Sequence, residues 1–402
     1  MIINFLIIIQ VLYELIVNTN SNVKYEYERY VQENLEEHYT NRLRQWKILF
    51  SLNWHYRVLR SKKPLLYWDQ YKNDDSKETN NDFIFNADKT VMDVYEGSLK
   101  PAVEIYKDLM KNYPTGTKML LCPYAGTGDV YLVCSYINKY VQKNEINEYV
   151  LVVIGKSNYK VANLFEIDNI EKINQDEADK LTYLYMTICD VSDDIKLMHH
   201  DPTQNYCGIL ENLRNINETK FIDMYIHNIF MCDIVKDREF PKFNYTSKKI
   251  NDLFIKYRLE PNNTVILSPY VNTLPAIPWW VWIELAKKLK MAGYMVCTNC
   301  GSPNEKEIEG TVALRFSYDI SVPVIEKCGF FIGIRSGFCD VISTAKCKKI
   351  IIYQPYIFWG EGTNLDYFSL NKNKFCNDAI EIEYEGVEFL KLIDQIVGQI
   401  KG

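Results

Sequence analysis

The sequence predicts an α/β fold built from two parallel sheets that are covered by helices. Between residues 118 and 230, and again between 264 and 353, short apolar runs alternate with polar or amphipathic stretches. This alternation is typical of strands that are buried on both faces and joined by helices. The chain has 402 residues, 47% of them hydrophobic, which is enough for two domains with separate cores.

The apolar runs of the first half predict the strands of a first domain, which we place at residues 116–250. In chain order these runs are MLLCPY (119–124), YVLVVIG (149–155), TYLYMTI (182–188) and the weaker MYIHNIF (224–230). The regularity is lost between residues 231 and 262, which contain Pro241 and several lysines and aspartates. This stretch predicts a linker or hinge.

The second half repeats the alternation and predicts a second domain at residues 262–385. Its strands are TVILSPY (264–270), YMVCTNC (294–300), TVALRF (311–316) and the two strands within FFIGIRSGFCDVISTAKCKKIIIY (330–353). WWVWIELAKKLKMAG (279–293) and VPVIEKC (322–328) predict helices between them. Residues 386–402 carry apolar residues at helical spacing, which predicts a closing amphipathic helix.

Residues 1–115 have a different texture and predict a helical N-terminal extension. Within it, RLRQWKILFSLNWHYRVLRSKKPLLYW (42–68) interleaves basic residues with three tryptophans. Such a segment is typical either of a partly buried helix with a solvated basic face or of peripheral contact with an anionic membrane surface or a lipid-linked substrate. The net charge of −6 argues against nucleic acid as a partner.

The cysteines indicate a reducing compartment. There are eleven, an odd number scattered through apolar segments, and buried free thiols of this kind favour a cytoplasmic location. Cys297 and Cys300 form a CxxC-like pair, but no second pair at zinc-ligand spacing accompanies them. We therefore predict no metal site and no cofactor.

A glycine-rich loop ends the first predicted strand. In PYAGTGDVYLVCSYINKY (123–140), Gly126, Thr127, Gly128 and Asp129 stand where the strand gives way to a helix. Glycines at such a junction let the backbone approach a ligand closely. Asp129 lies at the first helical turn, where a carboxylate serves either as a helix cap or as a base.

A polar turn ends the strand FFIGI in the second half. Arg335, Ser336 and Gly337 place a guanidinium, a hydroxyl and the N–H groups of a helix N-terminus around one point, which suits a phosphate-bearing ligand. The alternative is an ordinary turn in which Ser336 caps the helix.

Three motifs in this order resemble the heptosyltransferase-like branch of the GT-B glycosyltransferases. AGTGDVYLVCSYI resembles the Gly-Asp loop and first helix of that family, and ILSPYVNTLPAIPWWVWIELAKKLKMAGYMVCTNCGSPNEKE (266–307) resembles the start of its donor domain. CGFFIGIRSGFCDVISTAKCKKIIIYQP (328–355) resembles its nucleotide-sugar loop, with Asp340 where the family often has histidine. A looser similarity of the arginine loop is to bacterial polysaccharide glycosyltransferases.

The resemblance covers roughly residues 118–360 and implies two Rossmann-like domains that face a cleft. It implies Asp129 as the catalytic base and Gly126, Thr127 and Gly128 as the acceptor loop. The donor-binding residues that it implies, together with the strand-end chemistry, are Ser268, Tyr270, Arg335, Ser336, Gly337, Phe338 and Asp340.

The implied activity is inverting, metal-independent transfer of a sugar from a nucleotide-sugar donor to a hydroxyl. The implied partners are the nucleotide sugar, as a substrate, and a glycan or lipid-linked acceptor, at the cytoplasmic side of a membrane. Two alternatives stay open, a GT-B-fold sugar-nucleotide epimerase or phosphorylase and a non-catalytic nucleotide-sugar binding module.

Overall fold

The computed structural model describes residues 100–188, 192–199, 220–271, 276–354, 363–384 and 388–401. The predictions for residues 1–99, including the basic and aromatic segment 42–68, lie outside the described residues.

The first sheet has four parallel strands in the order β3-β2-β1-β4. They are β1 (Lys118–Leu121), β2 (Tyr149–Ile154), β3 (Ile170–Ile173) and β4 (Ile195–Leu197). The runs MLLCPY and YVLVVIG form β1 and β2 as predicted. Strands β3 and β4 were not predicted, because IEKI is half charged and β4 has only three residues.

The helices before and between these strands in the chain are α1 (Lys100–Met110), α2 (Thr127–Lys143), α3 (Gly155–Ala162) and α4 (Gln175–Ile188). Ala102 and Val103 of α1 are buried in the same apolar cluster as Met119 and Leu121 of β1. Helix α1, the described part of the predicted N-terminal extension, therefore packs into the core of the first sheet.

Two predicted strands of the first half are wrong. TYLYMTI (182–188) is the second half of helix α4, where Ala178, Leu181 and Leu184 recur at helical spacing and enter the core. Acidic residues in the first turn of α4 also favour the helix. MYIHNIF (224–230) spans the end of α5 (Phe221–Tyr225) and a π-helical turn, Ile226–Phe230.

The second sheet has six parallel strands in the order β10-β9-β8-β5-β6-β7. They are β5 (Thr264–Ser268), β6 (Met295–Asn299), β7 (Val312–Leu314), β8 (Gly329–Ile334), β9 (Lys348–Tyr353) and β10 (Ile380–Glu383). From β5 the chain winds outward through β6 and β7, and from β8 it winds the other way through β9 and β10. This is the doubly wound order of dinucleotide-binding sheets.

The helices of the second half are α6 (Ser247–Tyr257), α7 (Trp279–Met291), α8 (Ser321–Cys328), α9 (Gly337–Val341), α10 (Asn364–Phe368) and α11 (Phe389–Lys401). Helices α7, α8 and α11 confirm the predicted helices at 279–293, 322–328 and the chain end. Helix α6 lies within residues 231–262, for which the sequence predicts a linker or hinge. It begins after Thr246, whose side chain accepts a hydrogen bond from the N–H of Lys249.

The core of the second sheet lies under α7 and α11. Val281, Trp282 and Leu285 of α7 and Ile393 and Ile396 of α11 are buried in one cluster with the strand residues. The α/β class with two parallel sheets is thus confirmed.

The described chain divides into two compact units. One holds the described residues up to Ala125, Asn138–Tyr159 and those of the first sheet from Ile167 onward; the other holds Gly126–Ile137, Lys160–Glu166 and the described residues from 220 on. The glycine-rich loop and the start of α2 are therefore grouped with the second sheet. No helix within the described ranges has the length and apolar character needed to cross a bilayer.

Candidate functional site

The winding of the second sheet reverses between β5 and β8, which are neighbours in the sheet. In doubly wound sheets, ligands bind outside the carboxyl ends of the strands at such a reversal. Ser268 ends β5, and the Arg335-Ser336-Gly337 turn follows β8. Both predicted donor-binding segments therefore lie at the edge of the sheet where this topology places ligands.

Ser268 is held by the last residue of β6, and Tyr270 is held by the loop that follows β6. The buried hydroxyl of Ser268 accepts a hydrogen bond of 3.2 Å from the side-chain amide of Asn299, at the end of β6. The Tyr270 hydroxyl accepts a 2.7 Å bond from the N–H of Lys306 and also bonds the Lys306 carbonyl oxygen. These contacts order the loop after β6 against the loop after β5.

Arg335 lies buried at the end of β8 and is bound from three directions. Its Nη1 and Nη2 donate to the two carboxylate oxygens of Asp340 at 3.0 and 2.7 Å. Its Nε donates to the carbonyl oxygen of Phe368 at 2.8 Å, and Nη1 also donates to that of Ser336 at 2.6 Å. The guanidinium predicted for the donor phosphates is thus engaged within the protein, and contact with a phosphate stays a prediction.

The burial of this ion pair shifts both pKa values. Burial raises the pKa of Asp340 to about 6, although the attraction of Arg335 opposes the rise; the nearby charge of Asp129 adds to it. Burial works to lower the pKa of Arg335, but the attraction of Asp340 outweighs it and the pKa is raised. At neutral pH the pair is therefore ionised, with Asp340 the member that protonates on acidification.

The glycine-rich loop lies directly against the turn after β8. A Cβ added to Gly337 would stand 2.5 Å from the backbone nitrogen of Gly128 and 2.7 Å from Cβ of Thr127. A Cβ added to Gly128 would stand 2.7 Å from Oδ2 of Asp340. The absence of side chains at these two positions is what allows the two loops to meet.

Asp129 lies in the first turn of α2 and is half-buried. Its Oδ1 accepts a 2.6 Å hydrogen bond from the hydroxyl of Tyr225, the last residue of α5. Its Oδ2 lies over Gly126, where an added Cβ would stand only 2.1 Å away. The Tyr225 hydroxyl therefore fixes one oxygen of this carboxylate, and the other oxygen occupies the space that Gly126 leaves open.

Ser336 and Phe338 face different surroundings. Ser336 occupies the N-cap position of α9, but its side chain makes no capping hydrogen bond to the helix. The ring of Phe338 packs in an aromatic cluster, with centroids 5.7 Å from Tyr318, 6.0 Å from Phe331 and 6.3 Å from Phe316. Phe338 thus contributes apolar packing under the turn.

The structure brings the predicted acceptor loop together with the predicted donor-binding turn after β8. Ser268 and Tyr270, which were also predicted to bind the donor, make their hydrogen bonds elsewhere. The acceptor loop with Asp129 meets Gly337, Asp340 and, through Asp340, Arg335. Ser268 and Tyr270 lie at the same sheet edge and are bound by the last residue of β6 and by the loop after it. The assignment of all these residues to a sugar-transfer site stays a prediction.

The sequence analysis did not single out Tyr225 or Asn299. The polar end of the strand YMVCTNC was a usable signal for Asn299. Tyr225 had no such signal, because it is 96 positions from Asp129 and lies in a segment predicted as a strand.

Over the residues that the structure describes, no group of three or more histidine, cysteine, aspartate or glutamate side chains is placed to hold a metal ion. Among the cysteines that the structure describes, Cys297, Cys300, Cys328, Cys339, Cys347 and Cys376 are free thiols.

No protein-family model and no curated protein matches the chain. Solved structures do align with it. ADP-heptose lps heptosyltransferase II of E. coli gives a TM-score of 0.47 at 12% identity, over 71% of this chain and 99% of that chain. A family 9 glycosyl transferase from Veillonella parvula DSM 2008 gives 0.42 at 11% identity, over 70% and 89%.

An E. coli heptosyltransferase with ADP-2-deoxy-2-fluoro heptose gives a TM-score of 0.42 at 12% identity, over 71% of this chain and 99% of that chain.

Proposed function

We propose that the chain is a glycosyltransferase that moves a sugar from a nucleotide-sugar donor to a hydroxyl of a glycan or lipid-linked acceptor in the cytoplasm. One observation carries the proposal: the loop with the candidate base Asp129 lies against the turn with Gly337 and Asp340 at the reversal point of a doubly wound sheet. The three sequence motifs support the same reaction class.

In the proposed reaction, Asp129 acts as a general base. Its carboxylate takes the proton of the acceptor hydroxyl as the oxygen attacks the anomeric carbon from the face opposite the leaving group. The bond between that carbon and the diphosphate oxygen breaks, its electron pair stays on the diphosphate, and the configuration at the carbon inverts.

The leaving diphosphate gains negative charge as the bond breaks. We assign its stabilisation to the Ser336 hydroxyl and to the N–H groups of Gly337 and Phe338, because the first N–H groups of a helix have no acceptor within the helix. Ser268 and Tyr270, at the end of the neighbouring strand, are assigned to the donor as well. Arg335 contributes by holding Asp340 and the turn in place.

Metal independence is part of the proposal, since no DxD pair ends a strand in the sequence. Peripheral contact with a membrane is also part of it and depends on the segment 42–68. The free thiols of the second unit, such as the buried Cys297, Cys328 and Cys339, support a reducing compartment.

The experiment that tests the proposal has two stages. The full-length protein is first screened by thermal shift against UDP-, GDP- and ADP-sugars, because a ligand at a hundredfold excess over its Kd stabilises the folded state by about 2.7 kcal/mol. The donor that binds is then incubated with glycan and lipid-linked acceptors, and release of nucleoside diphosphate is measured. A protein that binds none of these donors and releases no diphosphate contradicts the proposal.

The second stage also separates the alternatives. An epimerase changes the donor sugar without an acceptor, a phosphorylase needs inorganic phosphate, and a binding module changes nothing. A glycosyltransferase yields product only when donor and acceptor are both present.

A further inference from the structure

We propose that Tyr225 is the positioning residue for the candidate base Asp129. Its hydroxyl, 2.6 Å from Oδ1, fixes the orientation of the carboxylate and favours its ionised form. The inference rests on the proposed function, because it deepens the role given there to Asp129. In this proposal Tyr225 acts through the carboxylate of Asp129 and not on the reacting atoms.

Packing fixes the direction of the Tyr225 side chain. Tyr225 is fully buried. Its ring lies edge-on to Phe221, with centroids 5.4 Å apart, and stacks on Phe230 at 6.4 Å. Because the ring is held on two sides, the hydroxyl points to one place, which is the carboxylate of Asp129.

A second set of contacts anchors α5, the helix that carries Tyr225. The N–H of Ile222 donates a 2.9 Å hydrogen bond to the side-chain oxygen of the buried Asn373. The amide nitrogen of Asn373 donates to the carbonyl oxygens of Tyr367 and Ser369 at 2.8 and 2.7 Å. Arg238 Nη2 donates to the Asn373 carbonyl oxygen at 3.1 Å. The start of α5 is thus tied to the segment after α10.

The charges around Asp129 explain how the Tyr225 hydroxyl favours the ionised form of this carboxylate. Asp340 lies close enough for the two carboxylates to repel, and Asp129 adds to the rise in the pKa of Asp340. Arg335 and Arg238 both favour the ionised form of Asp340. A hydrogen bond donated to an ionised carboxylate favours that form, so the Tyr225 hydroxyl offsets the repulsion at Asp129.

The first test measures the titration of Asp129 directly and needs no turnover. In the full chain labelled with ¹³C-aspartate, the carboxyl signal of Asp129 is assigned by its loss in Asp129→Asn. Substitution Tyr225→Phe removes one hydroxyl. We expect the titration midpoint of Asp129 to rise by about one pH unit, the size of one hydrogen bond to a charged group.

Tyr113→Phe is the matched control, since it removes the same kind of bond elsewhere. The Tyr113 hydroxyl donates to Oε1 of Glu171 at 2.8 Å, in the unit of the first sheet. We expect this control to leave the midpoint of Asp129 unchanged. A folded Tyr225→Phe protein whose Asp129 titrates as in the wild type overturns the inference.

A measurement on the wild-type protein covers the case in which Tyr225→Phe does not fold. The ¹³Cζ signal of Tyr225 should move at the pH where Asp129 titrates, and this movement should be lost in Asp129→Asn. A Tyr225 signal that ignores the titration of Asp129 overturns the inference.

Kinetics can separate a positioning role of Tyr225 from a merely structural one. With a donor that turns over, the acid limb of the kcat profile of Tyr225→Phe should shift to higher pH, with kcat about tenfold lower and the KM for the donor unchanged. A protein without transferase activity would contradict the proposed function, while the titrations would still decide the role of Tyr225.

Discussion

The carboxylate of Asp340 accepts hydrogen bonds from both terminal nitrogens of Arg335, at 2.7 and 3.0 Å, and both side chains are almost completely buried. A bidentate hydrogen-bonded pair of this kind fixes the relative orientation of the two side chains. Much of its interaction energy offsets the cost of taking both charges out of water. The pair lies under the turn that meets the glycine-rich loop.

We predict that Arg335→Met lowers the free energy of unfolding by about 3 to 5 kcal/mol at neutral pH, because it leaves an uncompensated buried carboxylate. The loss should be smaller at pH 5, where Asp340 takes up a proton. Denaturant unfolding at both pH values measures it. The exposed pair of Lys288 and Asp394 supplies the control, with Lys288→Met expected to cost no more than about 1 kcal/mol. A loss for Arg335→Met as small as that of the control would contradict the account.

The raised pKa of Asp340 predicts a pH-dependent contribution to stability. Its folded-state pKa of about 6 exceeds the ordinary aspartate value of 3.8, so the folded protein binds the proton more tightly than the unfolded chain does. The contribution of this residue to stability should therefore fall as pH rises from 3.8 to about 6 and stay low above that range.

Urea unfolding of the wild type and of Asp340→Asn across this range measures the effect. The stability of the wild type relative to the variant should decrease with rising pH. A difference that is constant with pH, or that grows as pH rises, would show that the carboxyl does not titrate as described.

The contact between the glycine-rich loop and the turn after β8 predicts that alanine is destabilising at Gly337 but not at Gly398. Gly337→Ala would place a methyl group 2.5 Å from the nitrogen of Gly128, so the loops must separate, and we expect a loss of about 1 to 3 kcal/mol. Gly398→Ala, in helix α11, meets nothing within 4 Å and should instead raise stability by up to about 1 kcal/mol. Thermal unfolding compares the two, and equal effects would refute the close approach of the loops.

Five of the six strands of the second sheet could be predicted from local pattern, because the central strands β5, β8 and β9 are largely buried and apolar. Strand β10 was not predicted, because its residues IEIE alternate with charges and only Ile382 is buried. The run TVILS of β5 is entirely buried, and an apolar run of this length between polar segments favours such a strand. The strands of the first sheet were harder to predict, because the apolar run at 182–188 also fits the buried face of a helix. Periodicity alone does not separate these two readings for a short apolar run.

Some features of the candidate site could likewise be predicted from the sequence and others could not. The loop with Asp129 was visible because its glycines and its acid are adjacent in the sequence. The pairing of Arg335 with Asp340 was not, because it depends on how the turn after β8 directs the first residues of α9. The Tyr225 contact joins positions 96 residues apart, which only the tertiary structure brings together.

The measurement that tests the central claim most directly compares kcat and donor binding of Asp129→Asn with those of the wild type. Asp252→Asn, which removes one exposed carboxylate from α6, is the control for the change in charge. We predict that Asp129→Asn binds the nucleotide sugar as the wild type does and loses kcat by about 100- to 10,000-fold, while the control keeps both. Sugar transfer by Asp129→Asn at the wild-type rate would contradict the assignment of Asp129 as the base and with it the proposed mechanism.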